Sequence, residues 1–196
     1  MEYLENLDID LFLYFNSLNL AWLDPIMKFI SSFWIWYIVV AIFIFLLVRK
    51  FKKKFWIPLL VSIVCFALTD QSSNLTKHSI KRYRPTHNLE ISDKVHTIDG
   101  YKGGLYSFVS GHACNSFGLA LITLLFLRNR KWTWFILIWA SIVSYSRIYL
   151  GVHYPADLVA GAILGTCIAL AVYKTHKLIP YFKNLETNCK MVSPNV

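Results

Sequence analysis

Three short segments of the chain carry residue types that could move a phosphoryl group. They contribute three fixed cations, two histidines, one carboxylate, a serine and a glycine: Lys77, Arg84, Ser110, Gly111, His112, Arg147, His153 and Asp157. Phosphoryl transfer depends mainly on positioning and on neutralising the charge of the phosphate oxygens. Three cations can supply that neutralisation, so the set predicts a phosphate site that needs no metal and no other cofactor.

Lys77 and Arg84 are seven residues apart, which is about two helical turns. They point the same way if one helix continues through both, and Pro85 is expected to end that helix at Arg84. Arginine offers a planar fork of donors to phosphate oxygens, whereas lysine offers a mobile point charge. Taken alone, the pair could instead be a basic cluster that contacts lipid headgroups.

The segment Ser110-Gly111-His112 opens an apolar stretch. A small residue and a glycine at a helix start leave backbone N–H groups free to bind an anion, and the helix dipole assists. His112 then stands about one turn inside the membrane edge. A single histidine at a helix end can also be an ordinary polar residue, and that alternative stays open here.

His153 and Asp157 are four residues apart, so the carboxylate can lie beside the imidazole on a helical turn. A carboxylate that accepts from Nδ1–H fixes the tautomer and leaves Nε2 free to act as a nucleophile. The alternative is a turn in which Asp157 caps a helix near Pro155. Arg147 falls in the same short segment, which favours the catalytic interpretation.

Most of the remaining chain is apolar. Of its 196 residues 56% are hydrophobic, and the mean hydropathy is +0.47, too high for an ordinary soluble domain. Five stretches approach the ~20 residues that cross a bilayer, namely residues 29–48, 55–69, 108–127, 132–146 and 155–173. We therefore expect an all-α integral membrane protein, a bundle of five transmembrane helices plus a short N-terminal interfacial helix.

Residues 1–196 are expected to form one domain, with an N-terminal interfacial segment at 1–26, the catalytic motifs at 77–157 and a cytoplasmic tail at 174–196. Residues 9–23 are apolar but interrupted by Asn16, Ser17 and Asn19, so we expect them to lie along the membrane surface. A short sixth span is the alternative. The acidic N-terminus is unlike a basic signal peptide, so cleavage is not expected.

The net charge of +9 is distributed as a topology signal rather than as a nucleic-acid surface. Basic runs at residues 49–54 and 128–131, and lysines from 174 to 183, follow alternate spans and therefore share one side, which is typical of the cytoplasm. The connections 75–107 and 147–155 then face outward, and the three motifs converge on one face. We expect a bacterial cytoplasmic membrane protein with an outward-facing active site and a cytoplasmic C-terminus.

Residues outside the three motifs are expected to have supporting, packing or surface roles. Asp70, near the outer end of the second predicted span, is expected to pair with a phosphate-binding cation or with polar neighbours, either as structural support or through direct involvement. Gly161 and Gly165 form a small-x-x-x-small pattern for close helix packing. The four cysteines lack paired spacing and predict neither a disulfide nor a metal site. Four histidines without partners at motif spacing are interpreted as surface residues: His78, His87, His96 and His176.

The motifs Lys-x6-Arg-Pro, Ser-Gly-His and Ser-Arg-x5-His-x3-Asp resemble, in order and spacing, those of the type 2 phosphatidic acid phosphatase (PAP2) family. That family includes bacterial membrane lipid phosphatases. The similarity covers residues 77–157 and the arrangement of spans around them. Val109 stands where the family usually has proline before Ser-Gly-His, and we expect altered loop geometry with retained chemistry.

The resemblance implies a role for each residue. His153 would attack phosphorus and form a phosphohistidine, Asp157 would orient it, and His112 would protonate the departing oxygen. The phosphate oxygens would be held by Lys77, Arg84, Ser110, Gly111 through its backbone N–H, and Arg147. No metal, cofactor or protein partner is implied.

The resemblance also implies a lipid phosphate as substrate, at the outer face of the cytoplasmic membrane. The short chain and compact outer loop favour undecaprenyl diphosphate. Residues 101–117 also resemble lipid A phosphatases, and phosphatidylglycerophosphate and phosphatidic acid are further alternatives. Residues 86–107 are expected to decide headgroup choice.

Two other functions are disfavoured by the sequence. A transporter with a basic outer vestibule would need polar groups near the midplane of the membrane, and the ionisable residues of the predicted spans all lie near their outer ends. A catalytically inactive lipid-binding relative is disfavoured because His112 and the set Arg147, His153 and Asp157 are intact.

Overall fold

The computed structural model describes residues 2–178, which form seven α-helices joined mostly by short turns. The helices are α1 (Glu2–Ser17), α2 (Asp24–Ile30), α3 (Phe33–Phe51), α4 (Trp56–Ile80), α5 (Gly111–Leu127), α6 (Arg130–Tyr149) and α7 (Pro155–Leu178). Single 3₁₀ turns occupy Lys52–Lys54, Pro85–His87 and Ser92–Lys94. Within this range the extended structure is limited to one isolated antiparallel bridge between Tyr83 and Tyr106, so the all-α prediction is confirmed.

Three of the helical segments in residues 2–178 are long and apolar enough to cross a membrane: Phe33–Lys54, Trp56–Ile80 and Pro155–His176. The apolar helix α5 is shorter, with 17 residues, and α6 has 20 residues but carries basic side chains at both ends and serines in its second half. The count of five spans therefore stays a prediction. So does the interfacial placement of the N-terminal segment, in which α1 ends at Ser17 and a turn leads into α2.

The helix α4 is longer than the second predicted span, because its polar last turns remain helical through Lys77. It ends at Ile80, where Lys81 takes a left-handed conformation with φ of 54° and its N–H bonds to the Lys77 carbonyl at 3.0 Å. The expectation that one helix carries both Lys77 and Arg84 is therefore wrong. Arg84 lies in an extended segment after the helix, where its N–H bonds to the Leu105 carbonyl at 3.1 Å.

The helices α5 and α7 pack closest together, and two glycines make this possible. A Cβ on Gly165 would lie 2.0 Å from the Cys114 carbonyl oxygen, and one on Gly161 would lie 2.6 Å from the Ser110 carbonyl oxygen. The predicted close packing at Gly161 and Gly165 is confirmed. It sets the start of α5 against the start of α7, where the Ser110 N–H bonds to the Asp157 carbonyl at 3.0 Å.

The bundle has one basic end and one end that carries the motifs. At the basic end Lys50 Nζ bonds to the Leu127 carbonyl at 2.5 Å, and Arg128 bonds to the Tyr173 hydroxyl at 3.5 Å. The end of α4, the start of α5, the end of α6 and the start of α7 meet at the other end. The tail expected at 174–196 is helical as far as Leu178, and the rest of it lies outside the described residues.

The helix α1 buries one face against the motif-bearing end. Asp8, Phe12 and Asn16 are spaced four residues apart, and all three are buried. The Asn16 amide donates to the Ile148 carbonyl at 3.0 Å and to the Tyr149 carbonyl at 3.1 Å. Asn16, which interrupts an apolar stretch of the sequence, thus anchors α1 to the end of α6.

Of the histidines interpreted as surface residues, His96 is half-buried and has partners, and His176 is buried. The backbone N–H of His96 bonds to the Asn16 side chain at 2.7 Å, and its ring Nε2 lies 3.3 Å from an Asp24 oxygen. His176 is buried on α7, and its ring bonds to the Tyr173 carbonyl at 2.7 Å. The partners of His96 are more than 70 residues away along the chain, and His176 also packs against Phe126 of α5, so motif spacing reveals neither environment.

Candidate active site

The start of α7 places an imidazole and a carboxylate together. His153 is 2% exposed and Asp157 is fully buried. The His153 Nδ1 lies 3.4 Å from Asp157 Oδ2, and the same oxygen accepts the Tyr154 N–H at 2.9 Å. A carboxylate on this side makes Nδ1 the protonated nitrogen, so Nε2 keeps the free lone pair.

The surroundings of His153 keep its ring neutral. Burial, and then the positive charges of Arg84, Arg147 and Lys77, hold the pKa of His153 well below its ordinary value. An imidazole that is neutral at physiological pH can use its Nε2 lone pair at once. The same three cations that disfavour a proton on this ring favour a phosphate anion beside it.

Arg84 is the first of these cations. Its Nε donates to the Tyr106 carbonyl at 3.0 Å, which fixes the guanidinium, while Nη1 is buried without a hydrogen-bond partner. A Cβ on Gly103 would lie 2.6 Å from that Nη1, so the loop passes directly over it. Burial and the nearby Arg147 lower the pKa of Arg84 to about 10, and it remains a cation at neutral pH.

Arg147, at the end of α6, is the second cation. Its guanidinium donates to the Ser31 hydroxyl and, at 3.4 Å, to the Tyr101 hydroxyl, while Nε is buried without a partner. A buried donor without a partner carries a free-energy cost, which an anion in the site would relieve.

Lys77 completes the cationic set from the end of α4. Its Nζ would lie 3.1 Å from a Cβ on Gly111, so the ammonium group sits against the start of α5. Among residues 2–178, neither Lys77 nor Arg84 nor Arg147 forms an ion pair with a carboxylate. The three cations therefore leave the site with an uncompensated positive charge.

His112 lies in the first turn of α5, within electrostatic range of both Arg147 and His153. Its Nε2 is 3.3 Å from the Ser31 carbonyl oxygen. A carbonyl only accepts hydrogen bonds, so Nε2 carries a proton and Nδ1 is the nitrogen left to exchange one with a substrate.

Ser110 and Gly111 form the start of α5. Ser110 is the N-cap, and its hydroxyl accepts the Ala113 N–H at 3.5 Å. The N–H groups of Gly111 and His112 lie in the first turn, where no intrahelical acceptor is available. Val109 is buried, and with valine in this position the loop still delivers Ser110 as the cap.

Asp70 contacts two amides rather than a phosphate-binding cation directly. Asn115 donates to its Oδ1 at 3.1 Å and Asn74 donates to its Oδ2 at 3.2 Å. The Asn115 contact links α4 to α5, and the Asn74 contact lies within α4, which favours structural support as the role of Asp70.

The structure brings all eight predicted site residues to one end of the bundle, and it adds three that sequence reasoning missed. Arg82 donates to Asp157 Oδ1 at 3.0 Å. Ser31, in the turn between α2 and α3, contacts both Arg147 and His112. Tyr101, in the loop before α5, contacts Arg147. Arg82 could have been found from the sequence, because it is a basic residue two positions before Arg84. Nothing in the local sequence marks Ser31 or Tyr101.

The PAP2 superfamily profile matches residues 55–180, more than half of the chain. The chain belongs to the PAP2 superfamily. It is accordingly a phosphoric ester hydrolase and a membrane lipid phosphatase.

Relatives with curated names align with most of the chain. It is 37% identical to the lipid A 4'-phosphatase of Porphyromonas gingivalis, over 90% of this chain and 75% of that protein. It is 38% identical to the lipid A 4'-phosphatase of Bacteroides thetaiotaomicron, over 84% of this chain and 75% of that protein. An undecaprenyl-diphosphatase of Sulfolobus acidocaldarius is 32% identical, over 83% of this chain and 75% of that protein.

Two solved structures share the fold. The PAP2-type phosphatidylglycerolphosphate phosphatase of Bacillus subtilis superimposes with a TM-score of 0.74 at 20% identity, over 93% of this chain and 90% of that one. LpxE of Aquifex aeolicus gives a TM-score of 0.70 at 23% identity, over 86% of this chain and 95% of that one. Both likenesses show that the described helices adopt the fold of these two proteins.

Proposed function

We propose that the protein removes a phosphate group from a lipid at the outer face of the cytoplasmic membrane, through a phosphohistidine and without a metal ion. The observation that carries this proposal is the surplus of three cations around a neutral His153 whose Nδ1 faces Asp157. The site lies at one end of membrane-length helices, where a headgroup phosphate could enter while the lipid tail stays in the bilayer.

In the first step His153 Nε2 forms a bond to phosphorus while the bond from phosphorus to the departing oxygen breaks. Asp157 stabilises the positive charge that develops on the ring, and Lys77, Arg84 and Arg147 neutralise the equatorial oxygens, assisted by the start of α5. Protonated His112 gives its Nδ1 proton to the departing oxygen.

In the second step water attacks phosphorus and the nitrogen–phosphorus bond breaks. The water proton moves to Nδ1 of His112, which restores the acid, and inorganic phosphate leaves. One pair of histidines thus performs both steps, with Ser31 holding the His112 ring by its Nε2 side throughout.

Lipid A is the substrate that we place first, with its 4'-phosphate as the group removed. This choice rests on the two lipid A 4'-phosphatases with 37% and 38% identity over most of the chain. It replaces undecaprenyl diphosphate, which the sequence alone favoured and which stays as a second candidate because of the 32% identical diphosphatase.

The test is phosphate release by the purified protein in mixed micelles with EDTA, from lipid A and from undecaprenyl diphosphate in parallel. We expect release from lipid A with loss of the 4'-phosphate, which mass spectrometry of the product would locate. His153→Ala should abolish release, and His78→Ala, which changes an exposed histidine of α4, should not. Release that requires a divalent cation, or that survives His153→Ala, would contradict the proposal.

A further inference from the structure

The N-terminal helix contributes a buried carboxylate to the motif-bearing end of the bundle. Asp8 of α1 is 8% exposed. Its Oδ2 lies 2.8 Å from a guanidinium nitrogen of Arg82, and its Oδ1 accepts the backbone N–H of Ala156 at 2.8 Å. Asp8 thus contacts both the cation that holds Asp157 and the first turn of the helix that carries Asp157.

Arg82 lies between two carboxylates. One terminal nitrogen pairs with Asp8, the other donates to Asp157 at 3.0 Å, and the guanidinium carbon lies 3.9 Å from the centroid of the Tyr154 ring. Burial alone would lower the pKa of Arg82, but the charges of Asp157 and Asp8 outweigh it and raise the pKa above its ordinary value. Arg82 is therefore a permanent cation with two counterions.

Asp8, as the second counterion of Arg82, determines how much negative potential Asp157 presents to His153. Without Asp8, Arg82 and Asp157 would form a neutral pair, and little negative potential would remain for His153. With Asp8 present, the three groups together carry one negative charge. His153 also lies within electrostatic range of Lys77, Arg84, Arg147 and His112, so a positive charge on its ring depends on the carboxylate that it contacts.

We propose that Asp8 is a positioning residue for phosphoryl transfer, which leaves Asp157 available to His153 by neutralising Arg82 and which holds the start of α7 through Ala156. The inference rests on the proposed roles of His153 and Asp157. Asp8 lies outside residues 55–180, the part of the chain that matches the superfamily. The packing of Phe12 against Tyr154, with ring centroids 5.4 Å apart, keeps α1 in place for this role.

The two contacts of Asp8 can be separated by substitution. Asp8→Asn keeps an oxygen that can accept the Ala156 N–H but removes the charge, whereas Asp8→Ala removes both. Asp8→Glu keeps the charge. Asp10→Asn makes the same charge change on an exposed position of the same helix and serves as the control.

The measurement is kcat and KM of each purified variant on the lipid that the wild-type protein hydrolyses, together with its thermal unfolding. We expect Asp8→Asn to lower kcat about 10-fold, the lower end of the roughly 10–100-fold range found for the outer-shell partners of metal-bound histidines. Its KM should stay within about twofold because the phosphate-binding cations are untouched. Asp8→Glu should recover part of kcat, Asp8→Ala should lose the most, and Asp10→Asn should match the wild type.

A wild-type kcat in Asp8→Asn would overturn the inference. So would a loss of Tm in Asp8→Ala with an unchanged kcat per folded molecule, since that result would make Asp8 a helix cap only. Activity that survives His153→Ala, or a wild-type protein that hydrolyses none of the lipids, would count against the proposed function instead.

Discussion

Replacing Gly165 by alanine should separate the two helices that build the site. The added Cβ would lie 2.0 Å from the Cys114 carbonyl oxygen, and ordinary contact begins near 3.4 Å, so α5 and α7 must move apart by roughly 1.4 Å. That shift would break the bond between Ser110 and Asp157 across the helix starts. Overpacking of this kind costs about 1–3 kcal/mol, and a displacement of about 1 Å at a reacting centre can cost about 100-fold in rate.

The assay is kcat for phosphate release together with thermal unfolding in detergent, for a graded series of glycine variants. Gly161→Ala meets the Ser110 carbonyl oxygen at 2.6 Å and should lose less than Gly165→Ala, while a Cβ on Gly104 meets nothing within 4 Å. We expect kcat and Tm to fall in the order Gly104→Ala, Gly161→Ala, Gly165→Ala, with the first near the wild type. Wild-type kcat and Tm in Gly165→Ala would refute the packing argument.

Three further predictions concern the chemistry of the site. His112→Ala should lower kcat for the lipid substrate by about 10²–10⁴-fold but affect an aryl phosphate much less, because a good leaving group needs no acid; equal losses would contradict this role. Arg84→Gln should raise the pKa of His153 and so move the acid limb of kcat/KM to higher pH, whereas Arg84→Lys should not; the pH profiles of both variants decide it. Arg82→Lys keeps the charge but loses the fork that spans two carboxylates, so we expect kcat about 10-fold lower with little change in KM, and an unchanged kcat would argue against the bridge.

The sequence was sufficient to predict that the three motifs meet at one end of the bundle. That prediction used only the alternation of apolar stretches with basic and motif-bearing connections, which is a property of consecutive antiparallel helices. The pair His153 and Asp157 was likewise predictable, because a four-residue spacing at a helix start is a local rule. Gly161 and Gly165 followed from a local spacing rule as well.

The residues that orient the site were beyond local rules. Ser31 contacts His112 and Arg147 only because the turn between α2 and α3 folds over the site. The course of the chain after Lys81 was also missed, since the left-handed conformation there and the pairing of Tyr83 with Tyr106 depend on the loop that returns before α5.

The burial of the N-terminal helix α1 was also not predictable from local sequence. Asp8, Phe12 and Asn16 share a helical face, and this four-residue periodicity was visible in the sequence. An apolar helix with polar residues on one face is equally typical of a surface-lying helix, so periodicity alone did not indicate that this face is buried. The partners that decide the matter, Arg82 and the end of α6, are far away along the chain.

The most direct test of the account is to trap the covalent intermediate. Purified protein would be mixed with ³²P-labelled lipid, quenched in alkali to preserve phosphohistidine, digested, and the labelled peptide sequenced by mass spectrometry. The account predicts label on His153, none in His153→Ala, and reduced label in Asp157→Asn. A label on another residue, or full turnover with no labelled protein under rapid quench, would contradict it.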